Sequence, residues 1–172
     1  VPERESTLLS FRRALEDDAL MIAYVRAAAA AALTERYGRG PWSNASSERG
    51  VIAGFRDADV IVAIAHDAIV GTFRMSSRKP WAIDRSFFSR VRRPLYLTDM
   101  AVHPKVQRRG VGRALLVEAE RVARAFPADA IWLDAYDAEA GAGEFYAKCG
   151  FEERGRKTYR DAPLVYFEQL LR

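Results

Sequence analysis

Apolar positions change period along the chain, and those changes mark out its elements. Leu8 to Arg12 reads as a short strand. From about Asp17 to Tyr37 the spacing becomes helical, with Leu20, Met21, Tyr24, Ala27, Ala28 and Ala31 recurring three and four positions apart. The alanine run from Ala27 to Ala32 favours a helix and allows close packing. Gly38, Gly40 and Pro41 stop it. Ser43 or Asn44 is placed to cap a short helix reaching about Phe55. Two β-branched runs follow, Val60 to His66 and Ala68 to Arg74, with Asp67 between them, and predict a hairpin. Residues 77–93 are irregular, rich in Arg, Ser and aromatics. Leu95 to Val102 predicts a strand closed by His103-Pro104. From Gly110 to Phe126 the pattern is helical, with Val111, Leu115, Ala119, Val122 and Phe126 on one face. Ala130 to Ala135 reads as a strand, and Ala140 to Cys149 as a short helix stopped by Gly150. Glu152 to Tyr159 and Ala162 to Leu170 complete the chain as strands. The order β-α-α-β-β-β-α-β-α-β-β predicts one α/β domain with helices packed on a sheet.

A length of 172 residues is enough for one sizeable core and too short for two. With 49% hydrophobic and 29% charged residues the composition is that of a globular protein, which excludes disorder and collagen-like repetition. Cys149 is the only cysteine, so no intrachain disulfide forms and a reducing compartment is expected. No apolar run approaches the ~20 residues of a membrane span. The first residues, Val1-Pro-Glu-Arg-Glu-Ser, lack the layout of a signal peptide. The expected location is cytoplasmic. The net charge of +4 suits nucleic acid or an anionic small molecule equally, and is too small to decide between them.

The most informative stretch is Leu97-Thr-Asp-Met-Ala-Val-His-Pro-Lys-Val-Gln-Arg-Arg-Gly-Val-Gly-Arg113. A strand feeds a loop with two glycines, and the loop opens a helix whose first N–H groups and dipole attract phosphate. Gly110 and Gly112 let backbone approach a ligand, while Arg108, Arg109 and Arg113 add positive charge. The spacing is not that of a P-loop, since no Gly-Lys-Ser/Thr follows, and it lacks the third glycine of the dinucleotide fingerprint. Read alone, the stretch also fits a turn with solvated arginines.

Gln107-Arg-Arg-Gly-Val-Gly112 resembles the Gln/Arg-x-x-Gly-x-Gly/Ala signature of the GNAT superfamily of acyl-CoA-dependent N-acyltransferases. Phe145-Tyr-Ala-Lys-Cys-Gly-Phe151 resembles that family's second signature, on the short helix after the next strand. The resemblance implies an α/β, GNAT-like single domain over residues 1–172. Its sheet would be mixed and mostly antiparallel, with splayed fourth and fifth strands and helices on both faces. It implies acetyl-CoA as co-substrate, with its pyrophosphate on Gln107, Arg108, Arg109, Gly110, Val111, Gly112 and Arg113 and its pantetheine along Met100, Ala101 and Val102. Tyr146 matches the general acid and also borders the donor. Asp99 is the first candidate for the base and Asp134 the second; a carboxylate serves as a base once desolvation raises its pKa. Many relatives carry a pantetheine-binding asparagine where this chain has Glu139, and a carboxylate cannot donate as an amide does. The implied activity is transfer of an acetyl group to a primary amine by direct attack in a ternary complex.

Other residues weigh less. His66 and His103 have no partners at ligand spacing, so no metal site is expected. Cys149 reads as a packing residue. Residues 78–93 mix basic and aromatic side chains as a nucleic-acid surface does, but in a GNAT-like fold they form an acceptor-side flap or a packed loop. Trp42, Trp81, Phe87 and Phe88 are candidates for the acceptor wall or for core packing. A non-catalytic acyl-CoA sensor is the alternative to an enzyme. A membrane or nucleic-acid partner is not expected, and a sheet edge in the C-terminal strands leaves room for a homodimer.

Overall fold

The computed structural model describes residues 8–172; the signal-peptide reading of the first six residues lies outside them. The elements are strand β1 (Ser10–Arg13), helix α1 (Ala19–Tyr37), helix α2 (Glu48–Gly54), strands β2 (Asp59–Ala65), β3 (Ala68–Ser76) and β4 (Pro94–Val102), helix α3 (Val111–Ala125), strand β5 (Ala130–Tyr136), helix α4 (Gly143–Lys148), and strands β6 (Glu152–Tyr159) and β7 (Ala162–Leu170). They form one seven-stranded sheet in the order β1-β2-β3-β4-β5-β7-β6. Every neighbouring pair is antiparallel except β4 and β5. The predicted mixed, mostly antiparallel α/β architecture is therefore present. Among the described residues no helix is long and apolar enough to cross a membrane.

Local chemistry sets the turns. His66 and Asp67 both take positive φ between β2 and β3, as do Arg160 and Asp161 between β6 and β7, the backbone that tight two-residue hairpins require. The cap of α2 differs from the expectation: Pro41–Ser43 forms a separate 3-10 turn, and Ser47 accepts the Gly50 N–H at 3.2 Å to begin the helix.

Helices α3 and α4 cover one face of the sheet. Leu115, Leu116 and Ala119 pack there with Phe73, Leu97, Ile131, Leu133, Tyr146 and Phe167. On the opposite face Ala19, Ile22 and Ala23 of α1 and Val51 of α2 pack on Val60 and Val62. The buried side of α1 is not the stripe the sequence predicts. Leu20, Met21 and Tyr24 are exposed, while Ile22, Val25, Arg26 and Ala30 are buried. The helix is apolar almost all round, so periodicity alone does not choose the face; contact with the sheet does.

Residues 77–93 are packed, not flap-like. Phe88 stacks on Trp132 with centroids 4.5 Å apart, and Phe87 meets Tyr166 edge-on at 5.3 Å. The Tyr166 hydroxyl donates to the Ala82 carbonyl. Buried Glu168 accepts from Trp132 Nε1 at 2.7 Å and from both the backbone N–H and hydroxyl of Ser89. Phe88 is thus a core residue, Phe87 packs half-buried against that core, and Trp81 is solvent-exposed.

Candidate active site

Strands β4 and β5 pair through Pro94–Ala130, Leu95–Ile131 and Tyr96–Trp132, and then part. A bulge in β4 accompanies the separation: Thr72 of β3 faces Ala101 and Arg74 faces Thr98, which leaves one extra residue on β4. Asp99 lies within the bulge and takes φ +53, a conformation rare outside glycine, asparagine and aspartate. The fourth and fifth strands are splayed as expected. Beyond Tyr96, β4 has backbone groups on its β5 side with no strand to pair them.

A cleft of about 430 Å³ opens in the splay. Arg26 and Leu33 of α1 and Trp42 form one wall, Thr98 to Ala101 another, and Asp134 and Tyr146 the inner end. Trp42, one of the expected wall residues, packs edge-on against Tyr136 with centroids 5.9 Å apart, and Tyr136 donates to the Pro41 carbonyl at 3.2 Å. The connection after β5 passes so close that a Cβ at Gly141 would overlap the Tyr136 carbonyl oxygen.

At the other end β4 leads through His103 into the predicted loop. Gln107 Nε2 donates to the Val102 carbonyl at 2.9 Å and fixes the loop to the strand end. Arg108 and Gly110 both have positive φ, and Gly110 serves as the N-cap of α3 without any side-chain cap. The first helical bond runs from Ala114 N–H to the Gly110 carbonyl, so the amides of Val111, Gly112 and Arg113 have no acceptor within the helix. Arg108, Arg109 and Arg113 are exposed around them. Gly112 packs closely enough that a Cβ would lie 3.1 Å from the Phe145 ring.

Tyr146 is buried on α4, its ring between Phe145, Phe151 and Phe167. Its hydroxyl donates to Met100 Sδ at 3.8 Å. Burial first, then the Asp134 carboxylate and the Cys149 thiol, push the phenol's pKa well above its ordinary value. Burial likewise raises Asp134, with the charge of Asp99 adding to it. Asp99 is half-exposed at the cleft mouth, its Oδ2 4.0 Å from Arg26 Nη1.

Asp99, Met100, Ala101, Asp134 and Tyr146 thus meet in one cleft, while Gln107 to Arg113 lie at the mouth of α3. Glu139 is exposed and borders a different cavity, with Asp137, Glu153 and Arg156. Among the described residues no three His, Cys, Asp or Glu side chains form a metal site. Sequence reasoning missed Arg26, the only charge between Ala19 and Leu33, and that isolation was the available signal.

Known structures share this fold. The protein yncA of Salmonella typhimurium, solved with acetyl-CoA, has a TM-score of 0.69 and 16% identity over 95% of this chain and 94% of its own. An N-acetyltransferase of Staphylococcus aureus gives 0.69 and 16% over 96% and 99%. A GCN5-related N-acetyltransferase of Rhodopseudomonas palustris gives 0.72 and 23% over 94% and 95%. At these identities the likeness concerns the fold. No curated protein sequence matches the chain significantly. Residues 23–151 match the family model described as the Acetyltransferase (GNAT) family, and that span runs from α1 through the splay and the α3 loop to Phe151. The fold and both signatures agree with that match, and the chain belongs to the GNAT acetyltransferase family.

Proposed function

We propose that the chain is a single acetyltransferase domain that moves an acetyl group from acetyl-CoA to a primary amine within a ternary complex. The observation that carries this reading is the junction of two features: the unpaired edge of β4 beyond Tyr96 and the uncapped start of α3 at its end. Free amides at Val111, Gly112 and Arg113, with the arginines around them, fit a diphosphate. The unpaired groups along Met100 to Val102 fit the amides of a pantetheine arm. Acetyl-CoA, when bound, supplies an acetyl group activated as a thioester.

The chain's own residues then divide the proton work. An ammonium has no lone pair, so the acceptor must lose a proton before attack. Asp134, whose pKa burial raises, takes that proton, and Asp99 lies half-exposed in the same cleft. The amine nitrogen forms a C–N bond with the thioester carbonyl carbon as the C–S bond breaks, and the nitrogen then sheds its second proton, which restores the Tyr146 phenol after that group has protonated the sulfur. Tyr146 holds its proton to high pH and passes it to the departing sulfur. Its hydroxyl already donates to one sulfur, that of Met100, which marks the direction in which it can donate. Glu139, exposed and bordering a separate cavity, has no part in the transfer.

The test is release of free thiol from acetyl-CoA over a panel of amines, with product mass confirming acetylation. Turnover that requires Tyr146 supports the reading. Tight acetyl-CoA binding without turnover of any amine would leave a sensor in place of an enzyme.

A further inference from the structure

The cleft contains a cation that acetyl transfer, as described, does not use. Arg26 is 9% exposed, and its Nε has no hydrogen-bond partner. Its Nη1 lies 4.0 Å from Asp99 Oδ2, too far for a hydrogen bond. Thr98, adjacent to Asp99 on β4, has a buried Oγ1 that is also unpartnered. These are the buried side-chain atoms left without partners among the described residues, and both belong to walls of the same cleft.

A buried guanidinium is costly unless it is paired and hydrogen-bonded. Here the local balance is incomplete. Burial works against the charge of Arg26, Asp99 opposes that from a distance, and Arg74 adds repulsion from β3. A planar acceptor with two oxygens is the complement of a guanidinium fork, and the Thr98 hydroxyl in the same cleft supplies another donor. The opposite requirement exists in the same cleft, where Asp134 and Asp99 suit an ammonium group. The cleft therefore offers separate partners for a positive and a negative group on one small molecule.

We propose that Arg26 and Thr98 form an acid-binding subsite, so that the acceptor is a small amino acid whose carboxylate docks there while its amine faces Asp134. This rests on the acetyltransferase reading above. It excludes protein lysines and simple amines as preferred acceptors, because neither brings a carboxylate into the cleft with the reacting nitrogen.

The experiment compares three forms of each acceptor with the full chain: the free amino acid, its carboxamide, and the amine lacking the acid group. Acetyl-CoA binding is measured alongside by calorimetry. The expected result is that free amino acids have the highest kcat/KM, by roughly tenfold to a hundredfold, the range of a charge-assisted pair. Arg26→Gln is expected to raise KM for the amino acid by a similar factor, with a smaller change in kcat and no change in acetyl-CoA affinity. The preference for acid over amide should collapse with it. Thr98→Val should shift KM in the same direction. Melting curves establish that the variants fold, and the wild-type comparison stands even if they do not. Equal rates on acid, amide and amine would overturn the subsite and leave the acetyltransferase intact, as would activity confined to amines without an acid group or to phosphorylated amines. Absence of acetyl-CoA binding would overturn both.

Discussion

The Tyr146 hydroxyl lies 3.8 Å from Met100 Sδ, so a buried phenol on α4 donates to a sulfur on β4 at the point where that strand has left its neighbour. This contact crosses the splay from the helix side. It fixes the phenol's direction toward the same edge along which the proposed thioester runs. The ring packs between Phe151 and Phe167, so the direction is held by the core and not by a flexible loop.

Replacing Tyr146 with Phe keeps the ring packing and removes the proton. We expect kcat to fall by about 10²–10⁴, the usual range for a positioned acid, with acetyl-CoA affinity unchanged. Because burial holds the phenol's pKa above its ordinary value, wild-type activity should show no alkaline loss from this group below ordinary tyrosine ionisation. Stopped-flow thiol release against pH checks both points. An unchanged kcat in the Phe variant would remove Tyr146 from the proton path.

The start of α3 makes a separate prediction about binding. Gly110 has φ +87, and an alanine there meets no neighbour but carries a backbone penalty of roughly 1–2 kcal/mol. The Gly110→Ala variant should be less stable by about that amount if the turn is kept. Gly112→Trp is different, since even a Cβ approaches the Phe145 ring at 3.1 Å. Its bulk should push the Phe145 ring aside and disturb the start of α3, and so weaken acetyl-CoA binding by at least about tenfold, the loss expected of one or two charge-assisted hydrogen bonds. Calorimetric titration of both variants separates strain from blockage. Binding by Gly112→Trp as tight as wild type would mean the diphosphate lies elsewhere.

The uncapped start of α3 was legible because its requirements are local. Positive φ, missing side chain and adjacent guanidinium groups are all written in Gln107 to Arg113, and Tyr146 lies within an equally compact signature. Arg26 was not legible in the same way. Its burial comes from α1 lying on β3 and β4, and the helix offers apolar side chains in nearly every direction. The exposed Leu20, Met21 and Tyr24 show the same limit. The bulge at Asp99 depends on the register with Thr72 and Arg74, which strand periodicity does not reveal. Residues 77–93 read as a basic, aromatic loop because their partners, Trp132, Tyr166 and Glu168, come from distant strands.

Glu168 supplies a stability prediction from that last group. Its carboxylate accepts from Trp132 Nε1 and from Ser89 while almost fully buried. In Glu168→Ala three donors lose their acceptor, and we expect a loss of about 3–5 kcal/mol, typical of breaking a buried charged network. Glu168→Gln should lose less, because its carbonyl oxygen still accepts. Denaturant unfolding followed by Trp fluorescence reads both. A near-neutral Ala variant would show that the 77–93 segment is held by its aromatic packing alone.

The two cleft carboxylates can be told apart by pH. Burial first, and the charge of Asp99 second, raise the pKa of Asp134 in the folded chain. A raised folded value means that the native state holds the proton more tightly than the unfolded state does. The stabilising contribution of Asp134 is then greatest in acid, below its unfolded value, and is lost as pH rises through the folded value. At neutral pH the folded chain bears the cost of an ionised, desolvated carboxylate. Asp134→Asn removes that cost, so it should melt higher than wild type at neutral pH, with the gap closing in acid. The same substitution should abolish the acidic limb of kcat/KM if Asp134 takes the amine proton. Asp99→Asn removes a neighbouring negative charge, so it should move that limb to lower pH without abolishing it, while lowering turnover by a smaller factor. The opposite pattern, with the limb lost in Asp99→Asn and kept in Asp134→Asn, would transfer the role of base to Asp99 and leave the burial of Asp134 as a purely structural cost.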